Sequence, residues 1–179
     1  MSRTIKIQLT TRSINAAIKQ IEAYRSKLPR ISTTICERLA TIGLNDASVR
    51  FSTAQYDGIN DSDVTIEPTP NGYQVIAKGN AVAFIEFGTG VHYNSGASYP
   101  LPKPSGIVGI GEYGKGQGKK DSWRYQGEKG TNGVVKTNHK TGEEWIVTHG
   151  NPAQMPMYHA LLAMQNEAER IVKEAFKSA

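Results

Sequence analysis

The chain has 179 residues, of which 38% are apolar, and a formal net charge of +5. This length predicts a single domain, residues 1–179, that buries roughly two-thirds of the surface of its unfolded chain. No apolar run approaches the roughly 20 residues that cross a bilayer, and the single cysteine, Cys36, excludes an internal disulfide. We therefore expect no membrane partner.

The charge is unevenly distributed along the chain. Residues 1–50 carry nine Lys or Arg against three Asp or Glu, whereas residues 51–102 carry one lysine and five acids. A subunit polarised in this way can present a basic face to one partner and an acidic face to another. This pattern favours association with copies of itself.

The N-terminal region, residues 11–43, is predicted to form two helices. Thr10 or Thr11 can cap the first helix, and Gly43 stands where a left-handed cap ends the second. Apolar residues recur at helical spacing in both. They are Ile14, Ala17, Ile18, Ile21, Tyr24 and Leu28 in the first, and Ile31, Ile35, Leu39 and Ile42 in the second.

Residues 48–79 alternate between apolar and polar side chains, which predicts strands. The alternating apolar positions are Val49, Phe51, Val64, Ile66, Tyr73, Val75 and Ala77. The TPNG stretch at 69–72 predicts a tight turn, and we expect a three-stranded antiparallel meander with one face packed on helices.

Residues 88–150 form a Gly/Lys-rich segment that holds 14 of the 18 glycines, and we call it the arm. Its composition predicts a long inserted loop, because it cannot bury enough apolar area to offset its ordering entropy. Aromatic residues spread along it, among them Trp123 and Tyr125, are expected to dock on this subunit or on the next one.

Residues 156–177 are predicted to form a C-terminal helix that closes the core against the first two helices. The predicted fold class is therefore α+β. Two N-terminal helices and a C-terminal helix pack on a small antiparallel sheet, with a long Gly-rich insertion.

The patterns typical of enzymes and cofactor sites are incomplete. Residues 109–114 spell the dinucleotide fingerprint, but no helix start follows, and Gly116 replaces the hydroxyl of a phosphate-binding loop. The four histidines lack metal-site spacing, and no serine or cysteine lies in a nucleophile frame. We expect no cofactor, no metal and no catalytic site.

Glu86 is a carboxylate within an apolar stretch, and its local structure is open between a short helix over residues 81–87 and a strand. In the helix, capped by Asn80, Glu86 faces outward. In either case a carboxylate among apolar groups needs a cationic partner, in the same subunit or across a subunit interface.

Three stretches, in this order, resemble the tail-completion, or head–tail joining, proteins of long-tailed bacteriophages and prophages. They are FIEFGTG at 84–90, YGKGQGKKDSWRY at 113–125 and THGNPAQMPMYHA at 148–160. The matching positions are structural: Phe84, Glu86, Phe87, Gly88 and Gly90 at a turn, and Gly150, Pro152, Ala153 and Pro156 before the last helix. We expect positive φ at Gly88 and Gly90, where the packed segment turns into the arm.

The resemblance implies a non-catalytic subunit of the phage neck or tail top. Copies of it would form a ring, sixfold by resemblance, that joins or completes the tail and lets DNA pass without sequence-specific contact. Its neighbours would be head-closure proteins and tail-terminator or tail-tube proteins. Its location would be the virion, after assembly in the host cytoplasm.

The competing hypothesis is a nucleic-acid-binding module. In it, bases would stack on aromatic residues interleaved with basic ones. These residues are Tyr113, Lys115, Lys119, Lys120, Trp123, Arg124 and Tyr125. A toxin-like enzyme is a third possibility, which the missing catalytic set disfavours.

Overall fold

The computed structural model describes residues 10–95, 99–100, 120–130 and 132–178. The predicted α+β class is confirmed, with helices and two small antiparallel sheets. The glycine fingerprint at 109–114 and the predicted contact residues Tyr113, Lys115 and Lys119 lie outside the described residues.

Two long helices form the centre of the fold. Helix α2 spans Leu28–Ser52 and packs along helix α5, which spans Pro156–Lys177 as the sequence predicted. Helix α1, Thr11–Arg25, precedes them and is capped by the Thr10 hydroxyl, which accepts a hydrogen bond from the Ser13 N–H at 3.3 Å.

The predicted end of the second helix at Gly43 is wrong, and so is the strand predicted at Val49 and Phe51. Helix α2 continues to Ser52 because Gly43 is buried where α2 meets α5. A Cβ on Gly43 would lie 2.7 Å from the Met164 sulfur. Here glycine serves close helix packing and does not end the helix.

The predicted three-stranded meander is a two-stranded hairpin. Strand β1, Asp63–Thr69, pairs antiparallel with strand β2, Gly72–Lys78, and both strands pack against α2. The hairpin turn uses Pro70 and Asn71, as expected for the TPNG stretch.

The described part of the arm contains a short helix and three strands, so the predicted loop does not extend over all of residues 88–150. Its second half folds into a sheet of strand order β3-β5-β4, with β3 at Trp123–Tyr125, β4 at Val134–Thr137 and β5 at Glu144–Thr148. Two short helices, α3 at Val82–Phe87 and α4 at Val91–Asn94, connect the hairpin to the arm.

The centre of the core lies where α2, α5 and the segment that includes α3 meet. Ala47 and Phe51 of α2 meet Ala81, Ile85 and Ala160, all of them fully buried. Helix α3 therefore packs both into the core and against α5, which fixes the position of the glycine-bounded turn that follows it.

Candidate functional site

The structure brings together the two most distinctive segments of the sequence, EFGTG and HGNPA. Thr89 donates its N–H to the Asn151 carbonyl at 2.9 Å, and Asn151 donates its N–H to the Thr89 carbonyl at 2.9 Å. We call the paired residues 86–94 and 148–158 the joint. The joint connects the core to the arm at both ends of the arm.

Three glycines of the joint have the left-handed backbone, with φ of +71° at Gly88, +80° at Gly90 and +84° at Gly150. The prediction of positive φ at Gly88 and Gly90 is confirmed. The neighbouring backbone also leaves no room for a side chain at Gly150, because a Cβ there would lie 2.0 Å from the Thr89 carbonyl oxygen. These positions need glycine for its conformation and for its size.

Asn94 holds the two segments together from inside the joint. Its buried amide donates to the Gly90 and Asn151 carbonyls at 2.9 Å each, and its Oδ1 accepts the Ala153 N–H at 2.9 Å. Sequence reasoning missed Asn94, because one asparagine in a polar stretch carries no periodic signal.

Glu86 lies in helix α3 and is only 3% exposed, so the outward orientation expected for it in a helix is wrong. Its carboxylate accepts the N–H groups of Met157 at 2.8 Å and Tyr158 at 3.2 Å, in the first turn of α5. The positive end of the α5 dipole thus takes the role that the sequence assigned to a cationic side chain. Met155, at the cap position of α5, makes no side-chain cap.

Tyr99 completes the environment of Glu86 by donating its hydroxyl to the carboxylate at 2.5 Å. Its ring packs 4.8 Å from Phe87 and 6.2 Å from Tyr158, measured between centroids. Burial, followed by the hydrogen bond to Glu86, raises the pKa of Tyr99 well above its ordinary value of 10.0. Tyr99 therefore keeps its proton, and its hydrogen bond to Glu86, to a higher pH than an ordinary tyrosine does.

The structure also places the remaining predicted positions around the joint. Phe84 packs its ring 6.0 Å from Tyr56. Pro156 is buried in the first turn of α5, and Pro152 is half-buried just before it.

Trp123 and Tyr125 dock on their own subunit. The Trp123 ring lies against the backbone of Gly90 and Gly150, where an added Cβ would meet it at 3.1 Å and 2.9 Å. The Tyr125 hydroxyl donates to the Asp57 carbonyl at 2.7 Å. These two aromatic anchors hold the arm sheet onto the joint and onto the loop after α2.

Asp57 is a buried carboxylate beneath the arm sheet that sequence reasoning missed. The Thr148 hydroxyl and the N–H groups of Asn132 and Gly133 face the Asp57 carboxylate and lower its pKa. Burial has the larger effect and raises the pKa above 3.8. A raised carboxyl pKa means that the folded state favours the neutral acid. The stabilisation from this group is therefore complete at low pH and is lost as pH rises through the folded-state pKa.

We expect Asp57→Asn to increase the free energy of unfolding at pH 7, because asparagine keeps an acceptor without the buried charge. The gain should shrink as pH falls towards 4, and Asp63→Asn, at an exposed carboxylate, should show no such trend. Urea unfolding at several pH values measures this. A loss of stability in Asp57→Asn at pH 7 would contradict the assignment.

A cluster of His92, Asp121 and His149 lies at the outer edge of the joint. His92 Nδ1 is 3.1 Å from Asp121 Oδ1, and His149 Nδ1 is 3.0 Å from the Asp121 carbonyl oxygen. The spacing of the histidines in the sequence did not predict this cluster. The three residues are far apart along the chain, and only the fold brings them together.

No helix within the described residues combines the length and the apolar character that a bilayer span requires. Comparison with protein-family models, with curated proteins and with solved structures found no match for this chain.

Proposed function

We propose that this chain is a structural, non-catalytic subunit of the neck or upper tail of a long-tailed bacteriophage or prophage. Copies of it would form a ring that joins or completes the tail and through which DNA passes. The proposal rests on the sequence resemblance, on the joint formed by the two segments that carry it, and above all on an exposed apolar face of helix α1.

The apolar face of α1 was expected to lie in the core, but most of it faces solvent. Among the described residues, α1 makes no extensive contact with another helix or strand, and its buried residue is Ala17. The side chains that share this face are 42% to 54% exposed: Ile14, Ile18, Ile21 and Tyr24. A contiguous apolar face of this kind marks an interaction surface.

A second copy of the chain is the occupant that fits this face best. Exposed basic residues flank it, including Lys19 and Arg25, whereas the exposed acids Asp61 and Asp63 lie at the start of the hairpin. A ring repeats one heterologous contact, in which the basic helix of one copy meets a different surface of the next. Opposite charge on the two surfaces favours that pairing and makes it sensitive to salt.

The alternative, a nucleic-acid-binding module, has less support. Trp123 and Tyr125 pack inward, so their rings are not free to stack on bases. The outer face of the arm sheet carries Arg124, Lys136 and Trp145 around a shallow cleft, and the alternative depends on this surface.

We expect Ile18→Asp to weaken self-association at least about tenfold, since burial of an isoleucine contributes about 1.5–3 kcal/mol and the new charge would be desolvated. Its fold should be unchanged, because Ile18 is exposed in the single chain. Asn15→Asp, an exposed polar position on the same helix, is the matched control. Sedimentation and native mass spectrometry over a range of protein and salt concentrations measure the effect. Equal association of the two variants would contradict the role of α1.

A further inference from the structure

We propose that His92, Asp121 and His149 form a binding site for a divalent transition metal ion of the zinc type. This site goes beyond the ring proposal and does not depend on it. Helix α4 supplies His92, the segment before β3 supplies Asp121, and the residue after β5 supplies His149.

The three side chains offer ligand atoms that already lie close together. One nitrogen from each histidine and one carboxylate oxygen are all within 4.8 Å of one another. The Asp121 carboxylate lies 3.1 Å from His92 Nδ1 and 3.6 Å from His149 Nδ1. The two imidazole rings are 4.4 Å apart between centroids.

Zinc chemistry matches these atoms in type and spacing. Zinc binds imidazole nitrogen and carboxylate oxygen at about 2.0–2.2 Å, so ligand atoms around a tetrahedral ion lie roughly 3.4 Å apart. The separations of 3.1 Å and 3.6 Å between the Asp121 carboxylate and the two imidazole nitrogens bracket that value. Three protein ligands leave a fourth position for water.

The backbone that carries the ligands is held in place without any ion. Val91 donates its N–H to the Lys120 carbonyl at 3.3 Å, which ties the neighbour of His92 to the neighbour of Asp121. Gly90 and Gly150 pack against the Trp123 ring on the inner side of the same region. This pre-organisation lowers the entropy lost when an ion binds.

The cluster is also accessible, with about half of each imidazole and 66% of the Asp121 side chain exposed. An ion can therefore enter from solvent. A bound ion would connect His92 and Asp121, which lie at the two ends of one segment of the arm, to His149 after β5. It would thereby hold the start and the end of the arm together.

Titration of the full-length, chelator-treated protein with Zn²⁺ by calorimetry tests the site, with Co²⁺ as a spectroscopic probe. We expect one Zn²⁺ per chain and the visible absorption of four-coordinate Co²⁺. His92→Ala and His149→Ala should each weaken binding more than about tenfold, because loss of even a hydrogen-bond partner of a ligand costs 10–100-fold. His139→Ala, at an exposed turn outside the cluster, should bind as the parent does.

Thermal unfolding provides a second readout. Zn²⁺ should raise the Tm of the parent and of His139→Ala, and should leave the Tm of the two cluster variants unchanged. The metal-free cluster variants should unfold at the parent's Tm, which shows that they are folded. Absence of Zn²⁺ binding, or binding that survives in both cluster variants, would mean that Asp121 only pairs with the two imidazoles, and the proposal would be overturned.

Discussion

Glu86→Ala is expected to lower the free energy of unfolding by about 3 kcal/mol, since a lost helix cap costs about 0.5–2 kcal/mol and each unpaired buried donor about 1–3 kcal/mol. The substitution leaves the N–H groups of Met157 and Tyr158 and the hydroxyl of Tyr99 without their acceptor. Urea unfolding followed by circular dichroism measures the loss.

Two further variants separate the causes of that loss. Glu86→Gln keeps an acceptor but removes the charge, so it should cost less than Glu86→Ala. Glu67→Ala breaks an exposed ion pair to Lys78, and exposed ion pairs contribute little to stability. A loss in Glu86→Ala no larger than that in Glu67→Ala would show that Glu86 does not hold the start of α5.

Gly150→Ala is expected to cost about 2–5 kcal/mol, the sum of left-handed backbone strain at about 1–2 kcal/mol and overpacking at about 1–3 kcal/mol. The new Cβ would lie 2.0 Å from the Thr89 carbonyl oxygen, within the pairing that forms the joint. Neither segment can withdraw without breaking the hydrogen bonds between Thr89 and Asn151.

Gly142→Ala is the matched control for this prediction. Gly142 has φ of +73°, close to the +84° of Gly150, but nothing lies within 4 Å of an added Cβ. Its substitution should cost only the conformational strain, about 1–2 kcal/mol. Equal losses in the two variants would mean that the joint tolerates the added methyl group and that backbone conformation alone selects glycine.

Local patterns predicted the parts of the fold that local forces determine. The apolar spacing of α5, the turn between β1 and β2 and the positive φ of Gly88 and Gly90 are all found in the structure. In each case the signal lies within a few neighbouring residues. It is an apolar repeat every 3.6 residues in a helix, an apolar–polar alternation every two residues in a strand, or a glycine at a turn.

The end of α2 shows how two local signals can conflict. Gly43 resembles a helix end, and Val49 and Phe51 alternate as in a strand. However, Gly43, Ala47 and Phe51 also recur at helical spacing, and all three are buried in one helix. Packing against α5 decided between the two patterns, and that contact is not visible in the sequence of α2 alone.

Contacts between distant segments could not be predicted in this way. Thr89 meets Asn151, and His92 meets His149, across the whole length of the arm. The cap that Glu86 provides to α5 is equally remote in sequence. Likewise, the periodicity of α1 identifies its apolar face but does not reveal whether the same chain covers it.

Electron cryomicroscopy of tailed particles produced by cells that express this chain tests the proposed ring most directly. We expect a closed ring of copies at the neck or tail top, with the α1 face that contains Ile14, Ile18 and Ile21 buried against the next copy. The joint should have the same structure in every copy. Absence of the chain from the neck and tail top, or a ring in which this face of α1 lies open to solvent, would contradict the account.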